Sequence, residues 1–256
     1  MGQILILPDV HGRQFWKDAC FNHKDEFEKI VFLGDYLSPY PYEEITNKQA
    51  IDVFREVLDF KKETPDKVAL LIGNHDLSYF NTGICECRTD FKNWDLINGI
   101  FCDNIKLFNL AWETTINGKR YFFSHAGVKK AWLKLINGYW FKMEDENELP
   151  DARLFDNFFH AAYDNGGNDE AIFNFEGPIS AYSSYRGWGG FECGSIVWAD
   201  ISEYDEKEFE NVVFVCGHTQ LDSEPIISDW VMDLDCRRPF VLDTETGEVK
   251  EYKPEE

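Results

Sequence analysis

Three short apolar runs in the first part of the chain each end at a cluster of polar residues. The runs Gln3–Leu7, 29–33 and 68–72 have the length and apolar content of buried strands. Between the second and third runs, apolar residues recur at three- and four-residue spacing within 43–64, which predicts an amphipathic helix. Strands that alternate with a helix predict a parallel sheet with right-handed crossovers.

Further strands are predicted after this first unit. The runs 107–116 and Lys119–Ser124 flank Asn117-Gly118, a dipeptide that strongly favours a two-residue hairpin turn. In the last third of the chain, short apolar runs predict strands at Val212–Cys216, 230–234 and 239–242. A turn is predicted at 244–247, so the whole chain has strand and turn signals almost to its end.

The segment 137–178 differs from its surroundings. It is acidic, rich in aromatic residues and loosely helical, and it has no strand pattern. No linker or repeat separates it from the rest of the sequence. We therefore expect a single domain spanning residues 1–256, in which 137–178 is an insertion or a lid.

Composition and charge exclude several classes of protein. The 256 residues are 44% hydrophobic and 16% aromatic, which is enough to bury a large core. With 47 acidic and 25 basic side chains, the formal charge is −22, which argues against binding a nucleic acid duplex or an anionic membrane. The seven cysteines are scattered and no signal peptide or membrane span is predicted, so we expect a reduced, cytoplasmic protein.

Potential metal ligands follow five of the predicted strands. Because ligands of α/β sheets bind at the carboxyl ends of the strands, we expect these side chains to lie close together. Carboxylate, imidazole and amide oxygen suit Mn²⁺, Fe or Zn²⁺ better than Ca²⁺. Each motif alone also fits a turn or a hydrogen-bonded core histidine, but five at five strand ends favour a metal site. The candidates are Asp9 and His11, Asp35, Asn74 and His75, His125, and His218.

In their order, these motifs resemble the calcineurin-like metallophosphoesterase superfamily, specifically its serine/threonine phosphatase-type branch. The resemblance implies an α/β fold, a four-layer α/β/β/α sandwich with two mixed sheets and a helical acidic insertion, whose second sheet would use the hairpin and the later strands. Residues 183–187 and 197–200 are similar to the Arg-Gly and Trp-x-Asp segments of that branch. The other matching segments are Pro8-Asp9-Val10-His11-Gly12, Gly34-Asp35, Gly73-Asn74-His75-Asp76, His125-Ala126-Gly127 and Gly217-His218.

The resemblance also implies two divalent metal ions, with Mn²⁺ expected and Fe or Zn²⁺ as alternatives. A hydroxide shared by the two ions would attack phosphorus in line. His75 would protonate the leaving oxygen, and Arg186 would bind the phosphate oxygens. The implied ligands are Asp9, His11 and Asp35 for one ion, and Asp35, Asn74, His125 and His218 for the other, with Asp35 as the bridge.

The sequence departs from the family pattern at three positions. Ser38 and Pro39 stand where the family has the aspartate that orients the catalytic histidine and an arginine that binds phosphate. Asp76 and Arg13 are candidates to replace these two residues. Gln220 stands where many phosphodiesterases of the superfamily have a second histidine on the first metal, which favours the phosphomonoesterase branch.

The expected function is a metal-dependent phosphoesterase that hydrolyses phosphomonoesters, on a phosphoprotein or a small phosphorylated metabolite. An alternative enzyme is a phosphodiesterase or a dinucleoside polyphosphate hydrolase, because Pro39 removes an arginine that would hold a monoester. An alternative of another class is a non-catalytic metal-binding scaffold, but the full ligand set and His75 are present. Two cations and Arg186 would locally reverse the charge of −22, so a compact phosphate remains a suitable ligand.

Overall fold

The computed structural model describes residues 2–80, 87–137, 143, 145, 147–164, 179 and 192–254. Within these residues the chain forms two β-sheets and six α-helices. The strands, in chain order, are β1 (Gln3–Leu7), β2 (Lys29–Phe32), β3 (Val68–Leu71), β4 (Phe108–Asn109), β5 (Ala111–Ile116), β6 (Lys119–Ser124), β7 (Val212–Cys216), β8 (Ile226–Ile227), β9 (Val231–Asp233), β10 (Phe240–Asp243) and β11 (Val249–Glu251). The helices are α1 (Lys17–Asn22), α2 (Asn47–Glu63), α3 (Asn74–Leu77), α4 (Trp94–Asn104), α5 (Lys130–Asn137) and α6 (Ala152–Asp164).

Both sheets mix parallel and antiparallel pairs. The first has the order β11-β10-β1-β2-β3-β4, in which β1 to β4 are parallel and β10 is antiparallel to β1. The second has the order β5-β6-β7-β9-β8, with parallel pairs β6-β7 and β7-β9 at its centre. The carboxyl ends of β1, β2, β3, β6 and β7 carry the polar motifs, and the parallel pairs align these ends within each sheet.

The helix predicted within 43–64 is α2, which connects β2 to β3. Thr46 precedes it and forms a capping box, because its hydroxyl accepts from the amide of Gln49 while the Gln49 side chain accepts from the amide of Thr46. Such a cap stabilises a helix by about 1 kcal/mol. Seven residues of α2 are buried, and Phe54 among them packs against Phe101 of α4 and Phe108 of β4.

The two sheets pack face to face through alternate residues of their strands. Ile6, Val31 and Leu71 of the first sheet share one apolar cluster with Phe123 and Val215 of the second. The residues between them in sequence point to the opposite faces, because side chains alternate along a strand. The helices cover those outer faces, which gives the layer order α/β/β/α and confirms the predicted fold class.

Helix α6 lies within the acidic segment and covers the second sheet. Its Phe155 is fully buried and packs edge-on against Phe122 of β6. Trp132 of α5 stacks parallel to the ring of Phe155. Asp156 accepts hydrogen bonds from the amides of Leu110 and Ala111. The described part of the acidic segment is therefore part of the core, and a lid role for the remainder of 137–178 stays a prediction.

Two strand predictions were wrong in detail. The predicted strand 107–116 is divided at Leu110 between β4 of the first sheet and β5 of the second, because Asp156 takes the amides that would continue one strand. The strand predicted at 239–242 is β10, which joins the first sheet beside β1 rather than the second. Both errors concern pairing across the fold, which periodicity does not encode. In the part of the chain that is described, no helix has the length and apolar character needed to span a membrane.

Candidate active site

Seven side chains from five strand ends converge at one edge of the sandwich. Beyond β1 and β2 the parallel pairing continues into the loops, where the amide of His11 donates to the carbonyl of Asp35 at 2.7 Å. The amide of Gly217, after β7, donates to the carbonyl of His125, after β6. The seven side chains are those predicted from the sequence, and each residue is at most 7% exposed: Asp9, His11, Asp35, Asn74, His75, His125 and His218.

Two glycines of the motifs are required by close approach. A side chain at Gly73 would collide with the carboxylate of Asp35, and one at Gly217 would collide with the carboxylate of Asp9. The absent side chains let the loop after each strand pass directly over a carboxylate of the neighbouring loop. This explains why glycine precedes Asn74 and His218 in the sequence.

The backbone of the site is unusually strained. Among the described residues, nine non-glycine residues have a left-handed φ, and five of them lie at this edge of the sandwich. Such a conformation costs of order 1–3 kcal/mol for a residue with a side chain, and it persists where the surrounding structure enforces it. The five residues are His11, Asp35, Ser38, Arg88 and His218. Their clustering is typical of a functional site.

The first donor group consists of Asp9, His11 and Asp35. Nδ1 of His11 donates to the carbonyl of Leu37 at 2.7 Å, so its Nε2 carries the lone pair when the ring is neutral. That Nε2 lies 3.9 Å from Oδ2 of Asp9 and 3.5 Å from Oδ2 of Asp35. A histidine whose second nitrogen is held by a backbone carbonyl is the usual form of a metal ligand.

The second donor group consists of Asp35, Asn74, His125 and His218. Nδ1 of His125 donates to the carbonyl of Leu33, so its Nε2 also faces inward as a lone pair on the neutral ring. That Nε2 lies 3.0 Å from Oδ1 of Asn74 and 3.2 Å from Nδ1 of His218. Oδ1 of Asn74 is in turn 3.0 Å from Nδ1 of His218. Three atoms that can each supply a lone pair thus face a common point.

Asp35 belongs to both donor groups. Its Oδ2 lies 3.5 Å from Nε2 of His11 and 3.6 Å from Nε2 of His125. Its Oδ1 accepts from the amide of His75 at 2.9 Å, which fixes the orientation of the carboxylate. Two cations about 3.5–4 Å apart need one shared carboxylate, and Asp35 has the position for it.

The charges of the site favour cations. Burial raises the pKa of Asp35 well above its usual value, and the negative charges of Asp9 and Asp76 raise it further. Burial lowers the pKa of His11 well below its usual value, with the neighbouring His75 and Arg13 acting in the same direction. The site therefore combines acids that repel each other with imidazoles that stay neutral. Divalent cations fit such a site, because they would neutralise the carboxylates and be coordinated by the imidazoles.

Two further buried acids add to the negative charge. Asp233 ends β9 and Asp235 follows it, and both are at most 1% exposed. Burial raises the pKa of each carboxyl well above its usual value, and the charge of Asp9 raises both further. When ionised, they increase the electrostatic repulsion at this edge of the sandwich, and bound cations would relieve it. The sequence signal was present as Asp233-Leu234-Asp235 after a strand, but it matched no motif.

Asp76 does not take the role that we expected from it. Its carboxylate accepts from the backbone amides of Gly73, Asp35 and Tyr36, at 2.9, 2.9 and 3.1 Å. It therefore joins the loops after β2 and β3 instead of orienting the ring of His75. Burial raises the pKa of Asp76 to about 7, although these three hydrogen bonds oppose the shift.

Arg13 does not replace the missing family arginine either. Its Nε donates to the carboxylate of Glu43 at 2.9 Å, and its Nη1 donates to the carbonyl of Asp9 at 3.0 Å. Both partners are largely buried, so this guanidinium is neutralised within the protein. Arg13 thereby positions Asp9, and its positive charge is paired with Glu43.

Arg88 is a residue of the site that no sequence motif indicated. Its Nη2 lies 3.1 Å from Nε2 of His75, and its Nε donates to the carbonyl of Ser38 at 3.0 Å. No motif surrounds it, and the contact with Ser38 spans fifty residues. Only the fold brings this guanidinium to the loop where Pro39 stands in place of the family arginine.

Three other predicted positions have different outcomes. Nε2 of Gln220 donates to the hydroxyl of Tyr42 at 2.7 Å, an exposed contact at the rim of the loops. The ring of Trp198 packs edge-on against the ring of His218, with centroids 5.3 Å apart. Arg186 lies outside the described residues, so its role in binding phosphate stays a prediction.

Comparisons with known proteins concern the sequence and the fold. No curated protein matches the sequence significantly. The cold-active protein-tyrosine phosphatase of a psychrophilic Shewanella species is similar in structure, with a TM-score of 0.52 and 17% identity over 97% of this chain and 77% of that chain. A protein serine/threonine phosphatase from Saccharomyces cerevisiae gives a TM-score of 0.48 and 17% identity over 100% of this chain and 81% of that chain.

At 17% identity, the similarity to the Shewanella structure establishes the fold alone, and the family rests on the sequence itself. The model of the calcineurin-like phosphoesterases matches residues 2–222, which include all seven converging side chains. This match confirms the predicted superfamily, and with it a hydrolase that depends on metal ions. The chain belongs to the calcineurin-like phosphoesterase family and is a metal-dependent phosphoesterase.

Proposed function

We propose that the protein is a phosphomonoesterase with two divalent cations, acting on a phosphorylated protein or a small phosphorylated metabolite. The observation that carries this proposal is the position of Asp35 between the two donor groups, at 3.5 and 3.6 Å from their imidazoles. One cation would be held by Asp9, His11 and Asp35, and the other by Asp35 and a set completed by Asn74, His125 and His218. We expect Mn²⁺ in both positions, with Fe or Zn²⁺ as alternatives.

The cations, when bound, supply the positive charge and Lewis acidity that phosphoryl transfer needs. The chain supplies position and protons. Asp35 is held by the amide of His75, and Asp9 accepts from the amide of His218 at 3.1 Å. These backbone contacts fix both carboxylates before substrate arrives, so little reorganisation is required in the transition state.

His75 is the proposed general acid. It is more exposed than Asp9, His11 or Asp35, and its ring centroid lies 5.3 Å from that of His11. An imidazole beside the donor atoms can protonate the leaving oxygen and regain its proton from water. Its neighbour in sequence, Asn74, belongs to the second donor group. The turn after β3 therefore positions both the general acid and one of the proposed metal ligands.

Gln220 supports a monoester over a diester. Its side chain donates to the hydroxyl of Tyr42 in an exposed contact. The first donor group therefore has no additional imidazole from this position. The similar structure from Shewanella is named a protein-tyrosine phosphatase, so a phosphotyrosine peptide belongs in the substrate panel.

Turnover of p-nitrophenyl phosphate and bis(p-nitrophenyl) phosphate by the Mn²⁺-loaded protein tests the proposal. We expect kcat/KM to be higher for the monoester. A preference for the diester, or for dinucleoside polyphosphates in the same panel, would replace it with the alternative function.

The variant His75→Asn tests the general acid. We expect kcat to fall about 100-fold or more, while the metal content after loading stays that of the wild type. The matched control is His23→Asn, which changes a partly exposed histidine paired with Glu26 and should leave kcat unchanged. Retention of most activity by His75→Asn contradicts the assignment.

A further inference from the structure

Arg88 is a cation held in place beside the donor atoms without serving either donor group. It adopts a left-handed φ of 72°, a conformation that a side-chain-bearing residue takes only when its surroundings enforce it. In sequence it lies thirteen residues after His75 and 37 residues before His125, the motif residues on either side of it. The strained backbone conformation of Arg88 therefore belongs to a residue that lies outside the motifs in sequence and beside them in the fold.

Two contacts fix the orientation of the guanidinium. Nε donates to the carbonyl of Ser38, which belongs to the same loop as Asp35. The guanidinium carbon lies 3.8 Å from the ring centroid of Tyr40, which is a close cation–π contact. With its Nε and one face occupied, the group has its two Nη nitrogens left for a ligand. Nη1 makes a long, exposed contact with Sγ of Cys87 at 3.9 Å, and Nη2 points to Nε2 of His75 at 3.1 Å.

The charge of Arg88 has no carboxylate partner among the described residues. Arg13 and Arg120, in contrast, form ion pairs with Glu43 and Glu113. The positive charge of Arg88 does reach the site, because it acts on Asp35 and lowers the pKa of that carboxyl against the larger effect of burial. A fixed guanidinium without an anionic partner, beside a hydrolytic centre, is suited to an anion.

We propose that Arg88 binds the phosphate group of the substrate through its Nη nitrogens. This inference rests on the proposed phosphomonoesterase function and names a residue that the sequence motifs did not. A planar guanidinium can donate two parallel hydrogen bonds to two phosphate oxygens. In the absence of substrate Nη2 donates to His75, and phosphate replaces that contact, leaving Nε2 of His75 available to the leaving oxygen. Tyr40 and Ser38 keep the guanidinium in place during the exchange.

The preference for monoesters follows from the same contact. A phosphomonoester dianion has three terminal oxygens, so two can face Arg88 while the third faces the donor groups. A diester monoanion has only two, and it gains less from a fixed positive charge because it carries one negative charge instead of two. Loss of Arg88 should therefore affect a monoester more than a diester.

Binding of orthophosphate to the Mn²⁺-loaded protein, measured by calorimetry, tests Arg88 without turnover. We expect Arg88→Ala to raise the dissociation constant about 10- to 100-fold, and Arg88→Lys to raise it less, because the charge remains without the fork. Metal content and thermal unfolding should match the wild type. The matched control is Arg153→Ala, which removes one positive charge from an exposed position on α6.

A second measurement separates this inference from the proposed function. We expect Arg88→Ala to lower kcat/KM at least 100-fold for p-nitrophenyl phosphate and less than 10-fold for the bis ester. Unchanged orthophosphate binding in Arg88→Ala overturns the role of Arg88, even if the wild type is a monoesterase. If the wild type instead prefers diesters while Arg88→Ala still loses orthophosphate, the monoesterase function fails and phosphate binding by Arg88 stands.

Discussion

Two buried charged regions of this protein satisfy their polar groups in opposite ways. Around Lys129, the ammonium donates to Glu208 and to the backbone carbonyl of Glu203, and the second oxygen of Glu208 accepts from the amide of Lys130. The carboxylate of Glu203 accepts from the amides of Gly194 and Asp200. Every carboxylate oxygen there has a donor, so this region is complete without a ligand.

The edge with the five strand ends is not complete in this sense. Lone pairs of Asn74 and His125 face each other at 3.0 Å, and the negative charges of Asp9 and Asp76 act on the carboxylate of Asp35. The side chains of Lys129 and Glu208 are about one-tenth exposed, and the seven at the strand ends belong to residues at most 7% exposed, so the degree of burial does not distinguish the two regions. The comparison shows that burial of charge alone does not indicate a functional site. The informative feature is a set of acceptor atoms that face one another.

The largest expected effect comes from removing the shared carboxylate. Asp35→Asn keeps an oxygen for the amide of His75 but removes the charge between the donor groups. We expect kcat/KM to fall by roughly 1,000-fold or more and the metal-to-protein ratio after loading to fall below that of the wild type. Kinetics with p-nitrophenyl phosphate and elemental analysis measure both.

The stability of the same variant gives an independent check. Because Asp35 is destabilised by burial and by its neighbouring acids, the metal-free variant should be at least as stable as the metal-free wild type. Asp52→Asn, on the exposed face of α2, is the matched control and should change neither activity nor metal content. An Asp35→Asn protein that keeps its metal and its activity contradicts the bridging position.

In the region around Lys129, we expect a substitution to lower stability and to leave activity unchanged. Glu208→Gln leaves the ammonium of Lys129 buried without its carboxylate, and both side chains are about one-tenth exposed. We expect the free energy of unfolding to fall by about 3 kcal/mol, with kcat and metal content unchanged. Urea denaturation measures the loss. The exposed Glu206→Gln should change stability by less than about 0.5 kcal/mol.

Stabilisation of the protein by metal ions should depend on the edge with the five strand ends and not on the region around Lys129. At a free Mn²⁺ concentration of 100 times the dissociation constant, one bound ion stabilises the folded state by about 2.7 kcal/mol. For a chain of this size that corresponds to a rise in melting temperature of roughly 5–10 °C, measured by calorimetry with and without chelator. Glu208→Gln should show the same rise as the wild type, whereas Asp35→Asn should show a smaller one. Equal rises in both variants would place the ions elsewhere.

The sequence predicted those parts of the fold and site that are encoded locally. The strands ending at Leu7, Phe32 and Cys216 are continuous apolar runs, and the polar motif after each one is fixed by glycines that permit close loops. Arg88 was not predictable, because its contact with Ser38 depends on two loops fifty residues apart. The antiparallel pairing of β10 with β1 depends on more than two hundred residues of intervening chain.

Asp156 represents a case between the two regions, because it is a partly buried carboxylate held by amides, and no cation pairs with it among the described residues. It accepts from the amides of Leu110 and Ala111 and from the side chain of Asn109. Burial nevertheless raises the pKa of Asp156 to about 6, because three neutral donors do not compensate for the lost water. This carboxyl offers the smallest test of the comparison.

The sign of its effect follows from proton uptake. The folded pKa of about 6 exceeds the ordinary value of 3.8, so between these pH values the folded state holds a proton that the unfolded state has released. The free energy of unfolding should therefore fall by about 1 kcal/mol as pH rises from roughly 4 to 6. Asp156→Asn should lack this part of the pH dependence, measured by urea denaturation of the metal-free protein. Identical slopes in both proteins would mean that amide donors alone satisfy the carboxylate of Asp156. The presence or absence of a cation would then not distinguish the two regions.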